Sequence, residues 1–186
     1  MVNIHCNYGW NAVETFREAI MIKISKRDNR DLEEKAKSDV EQIKAALKEE
    51  PIVQKEFKKY ERDIKDVDKV SIEFDPTLDV SAKTINGKIY LNAKMLEEPW
   101  QDYFHYAVHE ITHFLQHTSG KCSGHGKQKE DYLDNESEIE AFQNQLKYRE
   151  KTEGDEEVNK YLKDLFDKHD VPKKERPEKK KELLDK

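Results

Sequence analysis

His109, Glu110 and His113 stand in the run His109-Glu110-Ile111-Thr112-His113, and their types and spacing can do chemistry. On a helix, residues four apart project from one face as neighbours, so two imidazoles can turn toward the same point. Two ring nitrogens converging in this way are half of a tetrahedral Zn²⁺ site. Glu110 then lies beside the ion, where its carboxylate can take a proton from water activated by the metal. The surrounding composition supports burial. Charged residues make up 40% of the chain, yet from Tyr103 to Gln116 the only charged side chain is Glu110, counting histidine as neutral. A buried helix carrying a lone carboxylate and several imidazoles calls for a partner, and a metal supplies one.

A third ligand must come from elsewhere. A second helical pattern runs from Asn135 to about Glu150 and contains Glu136, Glu138 and Glu140. Glu136 and Glu140 are four apart and share a face, and this phase directs Glu138 away. Two histidines, one acid and an open position form the donor set of a catalytic zinc site. His105 and His117 extend the stripe by a turn at each end, roughly 6 Å along the axis, so all four histidines cannot reach one ion. They read as surface or hydrogen-bonded residues. The loop 119–130 carries Gly120, Gly124 and Gly126. His125 in this loop and Tyr132 after it are candidates to stabilise a developing oxyanion. Cys122 and His125 could also join His5 and Cys6 in a structural metal site, but an ordinary connecting loop accounts for them more simply.

On these motifs the chain resembles the gluzincins, HExxH metallopeptidases whose third ligand is a Glu on a following helix. It is most similar to their small members, the minigluzincins and ImmA/IrrE-like proteins. In that group a small residue often follows the ligand Glu, which makes Glu140, followed by Ala141, the first choice for the third ligand. The Asn-Glu pattern of larger gluzincins offers the alternative, with Glu136 on the metal and Glu140 orienting His109. The resemblance spans about residues 70–150. It implies a zincin-like fold, a Zn²⁺ cofactor, hydrolysis of peptide bonds, and an extended peptide or protein substrate paired with an edge strand. A metzincin ligand is excluded, because Ser119 stands where that class requires histidine. The competing reading is a non-catalytic, metal-containing binding or regulatory module, and the presence of Glu110 favours the enzyme.

The elements that must position these residues are legible in part. Val70-Ser71-Ile72-Glu73-Phe74 alternates like a half-buried strand. Asn86-Gly87, between Ala82–Ile85 and Lys88–Asn92, is a strong hairpin signal. A small antiparallel sheet is therefore expected before the active helix, in a mostly helical α+β domain. Apolar stripes predict two or three helices across residues 11–60, with a polar break at Asp28-Asn29-Arg30-Asp31. Trp100, Tyr103 and Phe104 read as core. Organisation follows as an N-terminal helical region (1–66), a metallopeptidase core (67–150), an amphipathic helix (151–170) hinged near Gly154, and a charged tail (171–186) expected to be largely disordered.

Composition narrows the classes. The 40 acids and 34 bases are closely mixed, without the basic stripe of a nucleic-acid surface. No apolar run is long enough for a membrane span. Two cysteines are too few for a disulfide framework, and the first residues lack the pattern of a secretory signal. A cytoplasmic setting is the expectation.

Overall fold

The computed structural model describes residues 26–120 and 129–184. Helices α1 (Lys26–Glu49) and α2 (Pro51–Lys59) lead through a 3₁₀ turn, Ile64–Lys69, into strand β1 (Ser71–Asp75). Strands β2 (Ala82–Ile85) and β3 (Lys88–Asn92) follow, then helix α3 (Trp100–Thr118). After the 3₁₀ segment Lys129–Asp134 come α4 (Glu136–Glu153), α5 (Asp155–Lys168) and α6 (Arg176–Leu184). The chain is α+β and mostly helical, with its small sheet ahead of the helix that carries the two histidines. No helix among the described residues is long and apolar enough to cross a membrane.

The hairpin forms as expected. Asn86 and Gly87 both take positive φ, 51° and 72°, which matches the twist of the flanking strands. The sheet, however, is mixed rather than antiparallel. Its order is β1-β3-β2, with β3 antiparallel to β2 and parallel to β1 in the register Ser71↔Lys88 to Asp75↔Asn92. The chain leaving β1 passes beyond the adjacent position, so β2 occupies the edge and β3 returns into the gap.

One core lies between α1, α2, the sheet and α3, with Ile43, Leu47, Phe57, Ile89, Leu91, Phe104 and Leu115 all buried. Removing each such side chain from water stabilises the fold by about 1.5–3 kcal/mol. Tyr103 and Phe104 are buried as expected, while Trp100 is half-buried and donates through Nε1 to Gln42 at 2.9 Å. Every residue from Ala107 to Gln116 is buried, so α3 is a central helix. A second cluster joins α4, α5 and α6 through Phe142, Leu146, Leu162, Phe166 and Leu183.

Three sequence expectations require correction. Asp28–Asp31 lies inside α1 and does not break it, because these residues continue a helix whose packing begins downstream. The charged C-terminal run forms α6 rather than a disordered tail. Leu183 supplies its anchor at 0% exposure, and Gln143 of α4 donates to the Glu182 carbonyl at 3.0 Å. The helix expected to end near Glu150 runs to Glu153. Gly154 ends it at φ 86°, a conformation that favours glycine, and α5 starts at once. The apolar stripe in residues 13–24, and His5, Cys6, Cys122 and His125, lie outside the described residues.

Candidate metal centre

Helix α3 carries His109 and His113 one turn apart with their Nε2 atoms 3.1 Å from each other. Asn135 caps α4, its side chain accepting from the Ser137 amide at 2.9 Å. That capped first turn presents Glu138, whose Oε2 is 3.4 Å from His109 Nε2 and 3.3 Å from His113 Nε2. These three side chains form the metal-capable group among the described residues. Two donor atoms about 2.05 Å from a tetrahedral ion are about 3.3 Å apart, so the observed triangle has the edge length of a tetrahedral site. Two lone-pair nitrogens and a carboxylate oxygen at such distances need a proton or a cation between them. The donor set therefore fits a metal ion.

The expected third ligands are elsewhere. Glu136 is exposed. Glu140 faces α2, where it accepts from Lys59, from the Tyr60 hydroxyl at 2.8 Å and from Gln116 Nε2 at 2.8 Å. Glu136 and Glu140 do share a face of α4, but it is not the buried face that turns toward the two histidines. Ala141, Phe142 and Gln145 are buried, and Glu138 precedes them by three, four and seven residues, on the same stripe. Ala141 is fully buried at 0% exposure, but it follows Glu140, which is tied to α2, rather than the candidate ligand Glu138.

Electrostatics follow the geometry. Burial disfavours the charged His113 ring, but the bond and charge of Glu138, aided by Glu110 and Gln116, lift its pKa to about 9. Burial also penalises Glu138, yet the two histidines hold its carboxyl well below the usual range. Glu140 is likewise lowered against its burial by Lys59, Gln116 and Tyr60. Its neighbour Glu56 is raised, by burial first and then by the bond to Glu140. His113 Nδ1 bonds Gln116 Oε1 at 2.8 Å, while His109 Nδ1 is buried without a hydrogen-bond partner among the described residues.

Glu110 is held from the sheet. Thr84, buried in β2, places its hydroxyl 2.7 Å from Glu110 Oε2 and 3.1 Å from the Glu110 carbonyl. Its single proton serves the nearer carboxylate. Neither Thr84 nor Gln116 was suggested by the sequence, since each acts across elements at no characteristic spacing.

The three candidate ligands and Glu110 open onto a cleft of about 630 Å³. The stretch Ser81–Thr84, running into the edge strand, lines one side; Phe142, Tyr161, Leu165 and Lys168 line the other. Phe142 packs edge-on to His109 with centroids 4.7 Å apart. Tyr132 also lines the cleft, and burial together with the Glu138 carboxylate pushes its hydroxyl pKa up, so it stays protonated. His117 reaches the cleft with its ring 6.5 Å from that of His113. His105 is buried behind it, with Nδ1 2.7 Å from Gln145 Nε2 and Nε2 3.4 Å from Arg149 Nη1. Neither belongs to the ligand group. Comparison of the chain with models of known protein families, with curated proteins and with solved structures finds no match.

Proposed function

We propose that the chain is a zinc-dependent peptidase in which His109, His113 and Glu138 hold the ion and Glu110 is the proton acceptor. The observation that carries this reading is the tetrahedral-edge triangle of two imidazoles and one carboxylate, with the Glu110 carboxylate lining the same cleft and near enough to act on His113 through its charge. Bound there, zinc would polarise a scissile carbonyl and bring the pKa of a water molecule toward 7. Glu110 takes the proton of the attacking water on its carboxylate and returns it to the departing amine nitrogen. Thr84 keeps that carboxylate aimed by donating to Oε2. The Tyr132 hydroxyl stays protonated with its one proton toward Glu138, and it would serve as a donor toward negative charge on the carbonyl oxygen on turning from that carboxylate. An extended peptide, lying along the edge of β2 that pairs with no other described strand, presents its main chain to main-chain groups and its side chains across the cleft. A structural metal site has no need of Glu110 in this position, whereas a hydrolytic one does.

The test is cleavage of a mixture of unstructured peptides, read by mass spectrometry, with zinc-loaded and chelator-treated protein. Glu110→Gln should retain stoichiometric zinc while losing cleavage. Cleavage by this variant at the wild-type rate sinks the mechanism. A wild type that binds zinc and peptide but cleaves nothing is instead the non-catalytic metal-containing module.

A further inference from the structure

Gln116 lies one turn beyond His113 on α3 and is 1% exposed. Burying a primary amide is costly unless its donors and acceptor are all used. Here they are. Nε2 donates to the Ser137 carbonyl at 3.0 Å and to Glu140 Oε2 at 2.8 Å, and Oε1 lies 2.8 Å from His113 Nδ1. A carbonyl and a carboxylate can only accept, so the nitrogen of the amide must face them and its oxygen must face the imidazole. That oxygen in turn can only accept, so Nδ1 of His113 carries the hydrogen. The lone pair of the neutral ring is then on Nε2, the atom that points at His109 and Glu138.

The bonds continue past the amide in both directions. Glu140 is tied to α2 by Lys59 and by the Tyr60 hydroxyl. Ser137, whose carbonyl Gln116 also holds, directly precedes Glu138. One side chain thereby connects a ligand on α3 to the main chain beside the ligand on α4. Leucine or methionine would fill a similar volume with no polar group to satisfy, so packing alone does not explain an amide here.

We propose that Gln116 is a positioning residue of the metal centre and that Glu140, rather than binding the ion, orients Gln116. The pair presents Nε2 of His113 to the metal and sets the spacing at which Glu138 meets it. This inference rests on the metal reading above.

The test is zinc affinity of the full chain, stripped of metal and titrated in competition with a chromophoric chelator. Wild-type protein is measured first, and a failure to take up zinc overturns the metal reading itself. Gln116→Leu should loosen zinc by about 10–100-fold, the usual effect of losing a partner behind a ligand. In ¹⁵N spectra of the zinc-loaded protein it should also expose the His113 Nδ1 proton to faster exchange. A folded Gln116→Leu protein with wild-type zinc affinity overturns only the positioning role. A second comparison alters neither volume nor net charge. Gln116→Glu alone sets two carboxylates face to face, and Glu140→Gln alone turns an amide toward three donors. Combining them removes the clash of carboxylates, since the new carboxylate accepts from both His113 and the new amide, while the Ser137 carbonyl lacks its donor in the exchanged pair as it does in Gln116→Glu alone. The exchanged pair should therefore bind zinc more tightly than Gln116→Glu alone. An exchanged pair no tighter than Gln116→Glu overturns the relay.

Discussion

Zinc uptake should expel a proton from His113, and the size of that release can be worked from the site. Without metal, Glu138 holds the His113 ring protonated up to a pKa of about 9. At pH 7.5 such a ring is almost fully charged, whereas a histidine of pKa 6.5 is about one-tenth charged. Ligation requires a neutral imidazole, so binding should release roughly one proton from His113 per zinc, against about a tenth for an ordinary histidine. The competition costs about 2 kcal/mol at pH 7.5, from 1.5 pH units at about 1.36 kcal/mol each. Zinc affinity should accordingly rise about tenfold between pH 7 and pH 8. The stability of the metal-free protein carries the opposite sign. A folded pKa raised above the unfolded value contributes stability that is complete below about 6.5 and lost as pH rises through about 9. Isothermal titration in buffers of different ionisation enthalpy measures the release directly. Glu138→Gln is the control, because without the carboxylate both the release and the pH slope should collapse as affinity falls. Wild-type protein that releases about a tenth of a proton at pH 7.5 refutes the ion pair and the reasoning built on it.

Thr84→Val removes the donor to Glu110 at nearly constant volume. A hydrogen bond to a charged group is worth about 1.5–3 kcal/mol, so kcat should fall about ten- to hundredfold with zinc content unchanged, and Thr84→Ser should restore it; a fully active valine variant refutes the role. His105 gives a stability prediction of opposite sign to that of His113. Burial, then the charge of Arg149, lowers its pKa to about 3, so its contribution is intact above about 6.5 and lost as pH falls toward 3. Denaturant unfolding of wild type and His105→Gln should show the wild-type advantage shrinking by about 2 kcal/mol between pH 6.5 and pH 5, and a constant difference contradicts the buried neutral ring.

What was legible in the sequence was local. The Asn86-Gly87 hairpin and the uncharged stretch of α3 follow from dihedral preference and the cost of burying charge, and both appear in the fold. The two histidines four apart needed only helical geometry to meet. Glu138 needed more, because a candidate ligand offered by a second helix depends on that helix's rotation against the first. The clue was present in the buried stripe of Ala141, Phe142 and Gln145, which shares its face with Glu138. Gln116 and Thr84 had no comparable signal. Each is an ordinary polar residue until tertiary packing brings α4 or β2 to it. The α6 helix was hidden by composition, since its anchoring rests on Leu183 inside a densely charged run.

The most direct measurement of the central claim is anomalous diffraction at the zinc edge from crystals grown with the metal. One peak is expected within bonding distance of His109 Nε2, His113 Nε2 and the Glu138 carboxylate, with Glu140 still held by Lys59, Tyr60 and Gln116. A peak bonded to Glu140 or Glu136 in place of Glu138, or no peak at the two histidines, contradicts it.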